Sequence, residues 1–149
     1  MENQWWPGFT LTEPENTSCL LEGIRYPRKG ILLDTGHLMN AERSIATQRD
    51  GVRFILEMLD RHGPLCRYIQ GMHLHQSISG AYVRRHCGAL PIDFPKDLPG
   101  QYRACYAHIQ NIDRHEPWTD PAVREIVDRV QPALSLIHIS EPTRRVVIS

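Results

Sequence analysis

Acids and imidazoles recur along this chain at spacings that suit divalent-metal chemistry. Asp34-Thr35-Gly36-His37 closes the apolar run Gly30-Ile31-Leu32-Leu33. Asp34 offers a hard oxygen and His37 a borderline nitrogen, both good donors to a divalent ion. Gly36 reads as the tight turn between them. His73-Leu74-His75 puts two imidazoles at i and i+2, which share one face of a strand. Asp113-Arg114-His115 is a third acid–histidine pair. Glu2 would point into the same mouth as Asp34 if Met1-Glu2 ends an earlier strand. Trp5 and Trp6, directly after it, could wall a sugar or another ring-like substrate.

Each of these groups also has a plainer reading. Glu2 is then an exposed acid at the start of the chain. Of His73 and His75, one is a core histidine and the other lies at the surface. Asp113 and His115 become a solvated helix end, where a protonated imidazole favours the dipole. Trp5 and Trp6 become loop anchors. His62, beside Gly63-Pro64, reads as a helix-end histidine. His86 and His108 have no partner at a useful spacing and read as structural.

The elements that must position these residues follow from periodicity. Gly30–Asp34 is a short apolar run, the signature of a strand covered on both faces. Residues 16–26 suggest a short helix capped by Asn16 or Thr17. Residues 41–62 predict a long helix, since Ile45, Val52, Ile55, Leu56 and Leu59 recur at helical spacing and Gly63-Pro64 stops it. Residues 66–75 predict a second strand, and residues 77–99 a long loop rich in Gly and Pro. Tyr102, Tyr106, Ile109 and Ile112 step by helical intervals, predicting a helix that ends near Asp113. Thr119-Asp120-Pro121 starts another, with Val123, Ile126, Val127 and Val130 facing inward to about Val130. A strand is expected after Pro132. Strands alternating with helices argue for an α/β fold built from parallel βαβ units.

The ordered series Glu2, Asp34-Thr-Gly-His37, His73-Leu-His75 and Asp113-Arg-His115 resembles the xylose-isomerase-like TIM-barrel superfamily. That group holds sugar and sugar-phosphate isomerases and epimerases, and the endonuclease IV type of abasic-site nuclease. The resemblance covers most of residues 1–133 and implies the later half of a (β/α)8 barrel. It implies a divalent metal (Mn, Co, Mg or Zn) held by Glu2, Asp34 and His73, with a further Glu from a strand beyond Pro132. Glu2 would double as the acid/base group of an enediolate mechanism. His37 would be a catalytic contact to substrate, and His75 could bind a substrate hydroxyl. In the nuclease branch His37, Asp113 and His115 would match ligands of an additional metal. Here Asp113 follows His73 by forty residues, across the long loop and an apparent helix.

Residues 134–144 resemble an in-frame translation of a sequencing adapter, so 1–133 is read as the native segment and 134–149 as an artefact; its plainer reading is a genuine final strand. His138 is therefore not offered as a ligand. Without Arg144, Arg145 and Glu141 the 17 basic and 17 acidic residues fall to 15 and 16. A near-neutral chain advertises neither nucleic acid nor an anionic membrane as partner. No apolar run approaches the roughly 20 residues of a membrane span. Cys19, Cys66, Cys87 and Cys105 form no CxxC pair, which fits reduced thiols in a cytoplasmic protein.

The expected function is that of a sugar or sugar-phosphate isomerase/epimerase fragment. The alternatives are a metal-dependent phosphodiester hydrolase and a truncated product without activity, since a complete barrel takes roughly 250 residues.

Overall fold

The computed structural model describes residues 1–88 and 93–137. His138 and residues 139–149 of the adapter-like tail lie outside the described residues.

A parallel three-stranded sheet carries the fold, with β1 at Ile31–Asp34, β2 at Ile69–Leu74 and β3 at Leu134–Ile137 in the order β1-β2-β3. The architecture is mixed α/β. In register, Leu33 lies beside Met72 and Asp34 beside His73, so the two polar residues end neighbouring strands together. β3 pairs with β2 from Gly71↔Leu134 to Leu74↔Ile137. β3 is thus formed by the first four residues of the segment that the sequence reading set aside as adapter-like, in the place where a strand past Pro132 was expected. At the other edge Glu2 bridges Leu32 in parallel, and the Leu32 N–H donates to the Met1 carbonyl at 2.7 Å. Met1-Glu2 accordingly occupies a strand position beside β1.

Six helices lie among the described residues: α1 Pro14–Gly23, α2 Thr35–Asn40, α3 Gln48–His62, α4 Gly80–His86, α5 Leu98–Ile112 and α6 Val123–Val130. Packed against the sheet, α3 buries Val52, Ile55, Met58 and Leu59. Its partner α6 buries Ile126 fully, with Val123, Val127 and Val130 partly covered. Ile31 and Leu33 of β1 and Met72 of β2 complete this core. In β1, Ile31 and Leu33 are buried and Leu32, on the other face, is half-buried.

Several boundaries differ from the sequence reading. Residues 41–62 are not one helix. Thr47 and Asp50 form a reciprocal capping box that starts α3 at Gln48. The first helix begins earlier than expected, with Pro14 in its first turn and no side-chain cap. Residues 63–68 form a 3-10 helix, so β2 starts at Ile69 and not at Cys66. α6 starts at Val123, after a turn closed by Asp120 on the Ala122 N–H. The stretch 77–99 is not all loop, because α4 occupies Gly80–His86. Gly80 permits it: a Cβ there would lie 2.1 Å from the Arg43 carbonyl oxygen. α5 begins at Leu98, capped by Asp97 on the Gly100 N–H, and ends at Ile112 as expected. Its apolar steps face two ways: Ile112 is buried, but Tyr102 and Tyr106 are mostly exposed.

Candidate metal centre

Asp34 is the hub. It ends β1 and also caps α2, its Oδ1 accepting the His37 N–H at 2.8 Å. His75 Nε2 lies 2.9 Å from the same oxygen, and His73 Nδ1 lies 2.8 Å from Oδ2. The i, i+2 spacing of His73 and His75 thus aims both rings at one carboxylate, as a strand should. Asp34 is fully buried. Burial pushes its pKa up, but the His75 hydrogen bond and the charges of His75 and His37 outweigh this and hold it below the ordinary value.

Gly36 does not make a turn. It lies inside α2, and a Cβ there would fall 2.1 Å from Cε1 of His75. The glycine is required because the His75 ring occupies the space that a side chain at this position would fill.

His37 projects from α2 between two oxygens. Its Nδ1 is 2.8 Å from the Asn3 carbonyl, which can only accept, so Nδ1 carries the proton. Its Nε2 faces Asp113 Oδ2 at 3.2 Å. Burial alone would lower the pKa of this imidazole. The hydrogen bond to Asp113 and the charge of Asp34 overcome that and raise it to about 9.

The forty-residue separation of Asp113 from His73 is bridged by five hydrogen bonds from Ser77 and Gln76. Ser77 Oγ donates to the Ile112 carbonyl at 2.6 Å and accepts the Arg114 N–H at 3.0 Å. Gln76 and Glu116 pair as an isolated antiparallel bridge, with N–H···O distances of 2.7 and 3.0 Å. The Gln76 amide also donates to Glu116 Oε2 at 2.7 Å. The α4–α5 segment is therefore an excursion whose two ends are stapled together beside the site. His115 adopts the left-handed φ of 48°, uncommon for a non-glycine residue. There its ring stacks on His75, with centroids 4.1 Å apart, and Nδ1 lies 3.2 Å from Asp113 Oδ1.

Among the described residues three groups could hold an ion, each with candidate donor atoms within 4.8 Å of one another: Glu2, Asp34 and His73; His37, Asp113 and His115; and His73, His75 and His115. The first two share no residue and the third joins them. Donors around one ion at about 2.0–2.2 Å stand at most about 4.4 Å apart, close to the separations within each group. The donor chemistry, imidazole with carboxylate, fits a divalent metal. The Asn3 carbonyl fixes the His37 tautomer that leaves Nε2 to face a metal and Asp113, the usual arrangement around a ligating histidine.

Other candidates from the sequence fall elsewhere. Trp5 and Trp6 meet edge to face at 5.2 Å and belong to none of the three groups; Trp6 is half exposed. His62 is buried between the Thr17 hydroxyl and the Met58 carbonyl. His86 stacks on Tyr82, whose hydroxyl lies 2.9 Å from His108 Nδ1, so these two histidines do have partners across α4 and α5. Sequence reasoning missed Asn3, Thr35 and Ser77. The Thr35 hydroxyl donates to the His75 carbonyl at 2.6 Å and accepts the His75 N–H at 3.1 Å, fixing the end of β2. Asn3 adjoins Glu2 and Thr35 adjoins Asp34 in the chain, and that adjacency is the only signal the sequence offered for them. No helix among the described residues is long and apolar enough to cross a membrane. Comparison with protein-family models, curated proteins and solved structures finds no match for this chain.

Proposed function

We propose that this chain forms the metal-binding arc of a (β/α)8-type barrel and that its reaction is metal-assisted hydrolysis of a small phosphoester. The observation that carries this reading is the second ligand group, His37, Asp113 and His115, standing beside Glu2, Asp34 and His73. Proton transfer in a sugar makes no call on this second group. Two adjacent groups match the demand of a two-ion displacement, in which attacking and leaving oxygens are both stabilised. The sequential parallel strands, with ligands at their C-terminal ends, support the barrel geometry.

Bound divalent ions (Mn, Co, Mg or Zn) would supply Lewis-acid charge at the mouth. The chain's own residues do the rest. His73 and His75 hold the Asp34 carboxylate from two sides. Asp113 aligns His37 and His115. Glu2, about a third exposed and 3.8 Å from His73, is the carboxylate positioned to take a proton from an attacking water. Near-neutral net charge favours a small substrate over a nucleic-acid backbone.

The accessibility of Glu2 also supports a second reading, a sugar or sugar-phosphate isomerase/epimerase. There Glu2 moves a proton beside a carbonyl to give an enediolate. One pair of assays separates the two on the full chain with added manganese or zinc. Release of p-nitrophenol from bis(p-nitrophenyl) phosphate, lost in His37→Ala, is expected for hydrolysis. Solvent deuterium entering a ketose without hydrolysis would favour the isomerase. Neither activity would leave a metal-binding chain without catalysis.

A further inference from the structure

Asn3 touches both ligand groups at once. Its side chain is fully buried and pairs with the Asp34 backbone in both directions: Nδ2 donates to the Asp34 carbonyl at 3.0 Å, and Oδ1 accepts the Asp34 N–H at 2.7 Å. Its own carbonyl accepts the His37 Nδ1 proton at 2.8 Å. These three bonds span two chain segments thirty-one residues apart, and they converge on one ligand from each group.

We propose that Asn3 is a positioning residue that sets the two ligand groups in register. It mimics a strand partner for Asp34, and so fixes the peptide that presents its carbonyl to His37. That carbonyl holds the His37 proton on Nδ1 and leaves Nε2 to the metal. This inference rests on the metal-centre reading above. A side chain that lacks the two bonds to the Asp34 backbone lets the Asn3 peptide turn. His37 can then adopt the other tautomer, in which Nε2 carries the proton and cannot ligate. Glu2 precedes Asn3 directly, so the first group is loosened as well, though less than the second.

The test is a cobalt(II) titration of the full chain, read by visible absorption, for wild type, Asn3→Ala and Asn3→Asp. Wild type is expected to bind at both groups. Asn3→Ala is expected to weaken binding at the His37 group about 10- to 100-fold and to alter its cobalt spectrum. Asn3→Asp keeps the acceptor for the Asp34 N–H and should fall between them. A merely structural asparagine would lower the metal-free melting temperature and leave cobalt affinity and spectrum unchanged, which would overturn the inference. Wild type without any cobalt binding would overturn the metal-centre reading and this inference with it. Should Asn3→Ala fail to fold, nitrogen NMR of the zinc-loaded wild type decides. A proton on Nδ1 of His37 is expected, and a proton on Nε2 contradicts the proposal.

Discussion

At the scale of single residues, the site is built from groups whose charges would be costly apart. The fully buried Asp34 carboxylate is matched by two imidazoles and a helix N–H. The raised pKa of His37 gives a pH dependence with a definite sign. Its folded value of about 9 exceeds the ordinary 6.5. In the metal-free protein, its contribution is complete below about pH 6.5 and is lost as pH rises through about 9. Urea midpoints of metal-free protein should therefore fall between about pH 7 and pH 10, and His37→Ala should flatten that decline. Asp34 acts with the opposite sign: its lowered pKa stabilises above the ordinary carboxylate range and loses effect in acid. Metal binding near neutral pH must displace the His37 proton. Calorimetric enthalpies should accordingly differ between buffers of different ionisation heat. Gly36→Ala tests the His75 contact. The added methyl has no room beside the ring, so a loss of about 1–3 kcal/mol is expected on a denaturant curve, together with weaker metal binding.

At the scale of elements, the sheet and its crossover helices were legible because their cues are local. The short apolar run of β1, the helical spacing of α3 and α6, and the Gly63-Pro64 stop all appear in the structure. What stayed hidden depends on contacts distant in sequence. Thr47 outcompetes an apparently continuous helical pattern through its capping box. α4 forms in a segment whose Gly and Pro content reads as loop, since its glycine seats the helix on the Arg43 backbone. The Glu2, Asp34 and His73 grouping was readable from strand ends. The joining of Asp113 and His115 to His37 was implied only by the family resemblance and not by spacing, because it depends on Ser77 and the Gln76–Glu116 bridge. Ser77→Ala strands the buried Ile112 carbonyl and the Arg114 N–H. An expected cost of about 1–3 kcal/mol should come with selective loss of metal from the His37 group, read by elemental analysis. Ile55→Ala, in the α3 core, should cost about 2–5 kcal/mol yet leave the metal content of the folded fraction unchanged.

At the scale of the whole molecule, a single sheet orders both ligand groups. Parallel strands in sequential order put Glu2, Asp34 and His73 on adjacent ends, and the stapled excursion after β2 brings Asp113 and His115 to the same end of the sheet. Metal bound only to the folded state should stabilise it by about 2.7 kcal/mol at a hundredfold excess over Kd, visible as a concentration-dependent rise in Tm. The most direct test of a two-group centre is metal stoichiometry, by equilibrium dialysis against zinc and elemental analysis of wild type and His37→Ala. The account predicts two equivalents in the wild type and one in the variant. Equal stoichiometry in both proteins, or none in either, would contradict it.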